Sequence, residues 1–301
     1  MNDHCFIRAK DGRFHLFHIV GPAGKGCYDP GSEVSFGHAV SEDLRTWQRA
    51  DDVLSMDPAS QHEPDHIFAP YVCEDRGTYF LWYAGINVKR KMESMCLARS
   101  KDLFHWEKHS CNPVFRPSRS WAEYAPGSGT WGCCRDPHVI AHPDYGHILY
   151  YVTWIKGTQG GRVALGAAVS ENLVSWQDAG PVMIRDRADG FSTTSMESPC
   201  VVPKDGRYYL FYKHRNETRL VVSDNPLQFS DKRDAWFSIA HAAEVFPAAG
   251  RWYISSCSRD LLDLGHKKSD RTKGLFLAQV AWRASGPAVV PLGEPVPKKG
   301  G

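Results

Sequence analysis

Asp205-Gly206-Arg207-Tyr208-Tyr209-Leu210-Phe211 is a glycine turn that feeds an aromatic and leucine run, and the chain carries five versions of it. The others are Asp11-Gly12 to Phe17, Arg76-Gly77 to Trp82, Tyr145-Gly146 to Tyr151 and Ala249-Gly250 to Ser255. Glycine in a tight turn followed by aromatic, leucine or β-branched residues marks a β-hairpin. The five glycines lie about 45–70 residues apart. A second repeat, Ser-x-(Asp/Asn)-x-x-x-aromatic, alternates with the first. It spans Ser41–Trp47, Ser100–Trp106, Ser170–Trp176 and Ser223–Phe229, with Leu after the acidic or amide residue in three copies and Pro226 in the fourth. Each copy follows a short apolar run, so it reads as a strand that turns at Asp or Asn and returns through an aromatic strand.

Units of several strands that recur at this period, none able to bury its own faces, close most naturally into a propeller. A β-helix needs much shorter repeats, and an immunoglobulin-like sandwich leaves the paired hairpins unexplained. No long segment shows a helical period. The expected fold is all-β, a five-bladed β-propeller occupying residues 1–301 as one domain.

Bulk properties narrow the function. A net charge of +2 with 23% charged residues lacks the basic footprint of a nucleic-acid binder. No apolar run is long enough to cross a bilayer, so no membrane partner is expected. The start, Met1-Asn2-Asp3-His4, lacks the charged and apolar regions of a signal peptide, and a cytoplasmic location is expected. The nine cysteines are odd in number and several sit in strand-like runs (Cys5, Cys73, Cys96, Cys200, Cys257), which suits reduced, buried thiols. Cys133-Cys134 lacks zinc-ligand spacing.

In a propeller the innermost strands begin around a central channel, so the residues ahead of each glycine hairpin converge on the axis. These are Asn2-Asp3-His4, Phe68-Ala69-Pro70-Tyr71, Arg135-Asp136-Pro137-His138, Met196-Glu197-Ser198-Pro199 and His241-Ala242-Ala243-Glu244. Asp3, Asp136 and Glu197 are thereby expected in one axial pocket. Glycoside hydrolysis needs such a set: an acid to protonate the departing oxygen, and a carboxylate to act as nucleophile or to activate water. Clustered carboxylates raise one another's pKa. Arg135 can neutralise part of the cluster and donate to sugar hydroxyls. Tyr71 lies in the same axial set, and Trp121 and Trp131, in a Gly/Pro-rich loop, can stack on a sugar. Asp29 and Asp65 sit in Pro-containing loops and suit turns, Asp65 with a further place at the pocket rim. Glu244 is axial without an expected catalytic role. His38 reads either as a substrate contact or as a satisfied core histidine. Trp47, Trp106 and Trp176 belong to the repeat and read as structural, and Lys89-Arg90-Lys91 and His266-Lys267-Lys268 as solvated loops.

These segments resemble the five-bladed propeller glycosidases of glycoside hydrolase families 32, 68, 43 and 62, over essentially the whole chain. Met1-Asn2-Asp3 with Asp11-Gly12 and His15-Leu16-Phe17, Phe36-Gly37-His38-Ala39-Val40-Ser41, and Arg135-Asp136-Pro137 are similar to family 32. Phe68-Ala69-Pro70, Glu197-Ser198-Pro199 and Ala240-His241-Ala242-Ala243 look more like family 43. The resemblance implies Asp3 as nucleophile or base, Glu197 as general acid and Asp136 as the stabiliser that binds hydroxyls. It implies no required cofactor, but places His241 in the central channel, where a structural calcium ion would sit. His4 stands where Pro follows the first Asp in the family, Ser198 where family 32 commonly has Cys, and the family 32 C-terminal sandwich is not expected. The implied activity is hydrolysis of terminal furanosyl or pentosyl bonds in an oligosaccharide or small glycoside. A fructofuranoside comes first, an arabinofuranoside or xyloside next. The alternatives are a propeller that binds carbohydrate or protein without catalysis, and a transglycosylase built on the same residues.

Overall fold

Among the described residues, twenty strands form five four-stranded antiparallel sheets, each ordered as it runs in sequence. A computed structural model describes residues 3–22, 24–125, 127, 129–187, 196–215, 217–257, 261 and 274–292. Met1, Asn2 and His266-Lys267-Lys268 lie outside the described residues. Blade one holds β1 (His4–Arg8), β2 (Phe14–Val20), β3 (Ser35–Ser41) and β4 (Gln48–Ser55). Blade two holds β5 (His66–Asp75), β6 (Thr78–Asn87), β7 (Met92–Ser100) and β8 (Trp106–Lys108). Blade three holds β9 (Arg135–His142), β10 (Gly146–Trp154), β11 (Arg162–Ser170) and β12 (Gln177–Asp186). Blade four holds β13 (Glu197–Lys204), β14 (Arg207–His214), β15 (Glu217–Ser223) and β16 (Ala235–Ser238). Blade five holds β17 (Val245–Ala248), β18 (Arg251–Cys257), β19 (Leu275–Arg283) and β20 (Gly286–Val290). A 3₁₀ turn covers Asp231–Arg233. The fold is the expected five-bladed propeller.

Both repeats have a physical basis. Gly12, Gly77, Gly146, Gly206 and Gly250 all take φ between +65° and +89°, a conformation that costs residues with a Cβ. These are the hairpin turns between the first and second strand of every blade. The serine repeat caps the turn between the third and fourth strands. In blade one Leu44 N donates to Ser41 Oγ at 2.9 Å, while Arg45 N and Thr46 N both donate to Asp43 Oδ1 at 2.8 Å. Ser100/Asp102 and Ser170/Asn172 repeat the pattern. Leu44, Leu103 and Leu173 sit at φ +64° to +70°. Pro226 cannot adopt that φ, and in blade four Asn225 instead accepts from Leu227 N.

Apolar clusters fill the gaps between successive blades, from Phe17, Ile67 and Tyr83 between blades one and two to Cys200, Phe211 and Ile254 between four and five. Blades five and one close the ring through Phe14, Leu44 and Ala248, with Phe6 stacked on Phe246 at 4.6 Å between centroids. Trp106 packs edge-on against Phe17 and Trp176 against Trp82, so these repeat tryptophans join neighbouring blades. All nine cysteines are free thiols. No described helix is long and apolar enough to cross a membrane.

Candidate active site

Strand register explains why distant residues meet. Asp3 lies opposite Ile19, Phe68 opposite Ala84, Arg135 opposite Val152 and Glu197 opposite Lys213, with His241 bonded across to Cys257. These are equivalent positions of the five inner strands. Two positions along each second strand lies another ring: Cys5 opposite Phe17, Tyr71 opposite Trp82, His138 opposite Tyr150, Cys200 opposite Phe211 and Glu244 opposite Ser255. Between the rings, blades two, three and four carry a register bulge. Ala69, Asp136 and Ser198 at the bulges, and Ala242 in blade five, have φ between +49° and +54°. A bulge re-aims a side chain, and here two of the bulged residues are functional candidates, Asp136 and Ser198.

The structure brings Asp3, Asp136, Glu197 and Arg135 together. Ser198 ties two of them: its hydroxyl donates to Asp3 Oδ1 at 2.9 Å and its backbone N–H to Asp136 Oδ2 at 2.9 Å. Arg135 donates from Nη2 to Glu197 Oε1 at 2.9 Å and from Nη1 to Glu93 Oε1 at 3.1 Å, with Nε 3.8 Å from Asp136 Oδ2. Lys213 Nζ donates to the other Glu197 oxygen. Both Glu197 oxygens are therefore held by cations, which fixes the plane of the carboxylate.

Burial, reinforced by Glu197, raises Asp3 above the usual carboxylate range, against the pull of Lys213, the Ser198 hydroxyl and Arg135. Asp136 is pushed up to about 7, first by burial and then by the charges of Asp3 and Glu197, with Arg135 opposing. Lys213 is raised: burial alone lowers it, but Glu197, Asp3 and Asp136 outweigh that. Asp136 thus holds its proton up to near-neutral pH.

A raised carboxyl contributes stability that is full below its unfolded value of 3.8 and is lost as pH rises through about 7. Asp136→Asn removes that loss while keeping an acceptor for Ser198 N. The variant is expected to melt several degrees above wild type at pH 8, from a cost on the order of 4 kcal/mol. The advantage shrinks as pH falls from 7 and vanishes below 3.8; thermal unfolding across pH checks it.

Other expected site residues divide. Trp131 is at the site, its Nε1 donating to Glu93 Oε1 at 3.1 Å, and Tyr28 stands edge-on to it, to Phe68 and to His66. Tyr71 is on the axis one ring deeper, against the His138 ring, its hydroxyl donating to Val139 O. His38 is not brought to the carboxylates. It lies in β3, buried, hydrogen-bonded to His15 at 2.8 Å and stacked on Phe17, and burial lowers its pKa to about 4. It is a buried core histidine, bonded through Nε2 while Nδ1 has no hydrogen-bond partner. The Asp65 carboxylate is taken up by Val88 N at 2.8 Å, and Asp29 accepts from Gly26 N; both brace loops. Trp121, in the connection between β8 and β9, donates from Nε1 to Asp178 of β12. His241 holds its place in the upper ring, with its backbone bonded to Ser256 and Cys257, but the donor cluster that forms in the channel is His138, Cys200 and Glu244.

Glu93, Lys213 and Ser198 were not singled out by the sequence. Lys213 is within reach of register counting from the Gly206 turn, except that the bulge between Glu197 and Cys200 shifts the count by one. Glu93 enters from β7, opposite Ile86, with no motif around it.

Residues 1–149 match the glycosyl hydrolases family 32 N-terminal domain. The fold superposes on fructan 1-exohydrolase IIa from Cichorium intybus with a TM-score of 0.72 at 18% identity, covering 98% of this chain and 58% of that one. It also superposes on an exo-1,5-alpha-L-arabinanase from a bovine ruminal metagenomic library, with a TM-score of 0.65 at 15% identity over 96% of both chains. The first half of the chain thus matches the family 32 N-terminal domain, and the fold is that of the five-bladed propeller glycoside hydrolases. An uncharacterized Mycobacterium tuberculosis (strain ATCC 25618 / H37Rv) protein is 26% identical over 186 residues, 59% of this chain and 56% of that protein. The propeller thus spans little more than half the length of that relative and of the fructan exohydrolase.

Proposed function

We propose that this propeller glycoside hydrolase cleaves terminal furanosyl or pentosyl bonds, with a fructofuranoside the first substrate to test. The observation that carries the reading is the meeting of Asp3, Asp136 and Glu197, from three different blades, on Ser198 and Arg135. The family 32 match over residues 1–149 supports the choice of sugar.

Glu197 acts as the acid: the departing glycosidic oxygen takes the place of Lys213 or Arg135 at one carboxylate oxygen. That carboxylate oxygen takes up a proton from the carboxyl cluster or solvent, and the proton passes to the glycosidic oxygen as the anomeric C–O bond breaks. Asp3, oriented by the Ser198 hydroxyl, attacks the anomeric carbon or takes a proton from the attacking water. Asp136 and Arg135 hold ring hydroxyls and stabilise the positive charge that develops on the sugar. Tyr28 and Trp131 form an aromatic rim for the ring face.

A panel of aryl furanosides and pyranosides, offered to wild type and to Glu197→Gln, tests this. Wild type is expected to release the aryl group from at least one furanoside or pentoside, and the variant from none. Equal traces from both proteins would sink the enzyme reading.

A further inference from the structure

The deeper ring carries chemistry that glycoside hydrolysis leaves unused. His138, Cys200 and Glu244, from blades three, four and five, are buried, and one donor atom of each lies within 4.8 Å of the others. His138 Nε2 faces the carbonyl of Val201 at 3.1 Å, and a carbonyl can only accept, so Nε2 carries the proton. In the neutral ring Nδ1 is then the lone-pair nitrogen. It is buried without a hydrogen-bond partner, in a residue only 4% exposed. Glu244 Oε1 stands 3.8 Å away, beyond hydrogen-bond range. Two acceptors facing each other at that distance call for a cation between them.

The donors do not suit calcium, which takes 6–8 oxygen ligands. One imidazole nitrogen, one thiol sulfur and one carboxylate are the donor types of zinc. We propose that the propeller channel binds a zinc-class divalent ion through His138 Nδ1, Cys200 Sγ and Glu244, with Cys5 of blade one as fourth donor. Bonds of about 2.0–2.3 Å in a tetrahedron separate ligand atoms by about 3.3–3.7 Å. The ring reaches that by contracting about 1 Å at its widest pair.

The outer shell is already in place. Val201 O fixes the His138 tautomer, and Val245 N donates to Cys200 Sγ at 3.3 Å, as an N–H does to a metal-bound thiolate. Cys5 occupies the equivalent position in blade one, opposite Phe17. Binding releases the Cys200 proton to solvent as the sulfur becomes a thiolate. A cavity of about 30 Å³ lined by Asp3, Asp136 and Glu244 provides the route in. The ion would pin three blades, or four with Cys5, to one point on the axis.

Reduced, chelator-stripped full-length protein titrated with zinc, and in parallel with cobalt, tests the site. The expected result is one ion per chain, a thiolate-to-cobalt charge-transfer band in the near ultraviolet, and a higher melting temperature with zinc. Cys200→Ser weakens the band, Cys200→Ser combined with Cys5→Ser abolishes it, His138→Gln weakens binding at least tenfold, and replacement of the exposed Cys27 and Cys111 changes none of these. Failure of wild type to bind one zinc ion, or a band of undiminished intensity in Cys200→Ser, overturns the proposal. The wild-type titration decides even if a variant does not fold. Because every readout is metal binding or melting, a negative result leaves the glycosidase reading standing, and an inactive protein that binds zinc leaves the site standing.

Discussion

Asp3→Asn is expected to lower kcat/KM by about 10²–10⁴-fold on whichever glycoside wild type cleaves, with the fall in kcat and little change in KM. Asn accepts the same hydrogen bond from Ser198 Oγ, so the side chain stays in place while its nucleophilic or basic oxygen is lost. Ser198→Ala is expected to cost less, because it releases Asp3 without removing the carboxylate. A pH profile separates chemistry from scaffolding. Lys213 is the strongest influence holding Asp3 down. In Lys213→Met, Asp3 therefore rises further, and the acid limb of kcat/KM moves to higher pH. Steady-state kinetics of the three variants check this; wild-type kcat in Asp3→Asn would remove Asp3 from the reaction.

Arg135→Met is expected to be the most destabilising single change in the site. Glu93 has no exposed surface and receives its nearest cationic hydrogen bonds from Arg135 Nη1, at 3.1 and 3.4 Å. Removing one partner of a buried ion pair leaves an uncompensated charge and costs about 3–5 kcal/mol. For a chain of this size that lowers the melting temperature by roughly 10 °C. Replacing both partners by apolar residues is far milder than breaking the pair. Arg135→Met with Glu93→Met should therefore recover most of the lost stability while staying inactive. Thermal unfolding of the two singles and the double forms a cycle; additive losses would show that Arg135 and Glu93 are not coupled. The same cycle separates the positioning role of Glu93, which touches Arg135 and Trp131, from the substrate contact assigned to Arg135.

Much of this was legible in the sequence because a propeller repeats its geometry. The five hairpin glycines and the serine turns each do one conformational job, so counting them counts blades. The starts of the inner strands then fall around the axis, which is why Asp3, Asp136, Glu197 and Arg135 were found together. What escaped depends on local irregularity. A bulge at Ser198-Pro199 moves Lys213 opposite Glu197 instead of one residue off. Glu93 comes from a third strand, where no periodic rule points inward. His38 stands in a segment similar to family 32, yet its place on β3 puts it in the blade interior against His15 and Phe17. Asp65 precedes an inner strand, but the Val88 amide takes its carboxylate. The channel donors were hidden for another reason: His138, Cys200 and Glu244 lie far apart in sequence without motif spacing, and only the ring position shared by all five blades gathers them.

The most direct test of the catalytic account is a crystal structure of Glu197→Gln with an uncleaved furanoside. The ring is expected on Asp3, its hydroxyls on Asp136 and Arg135, and the glycosidic oxygen at the introduced amide. The separation between that amide and the Asp3 carboxylate then assigns the stereochemistry, about 5 Å for retention and about 6.5–9.5 Å for inversion. A sugar bound away from these residues, or none bound at saturating concentration, would contradict it.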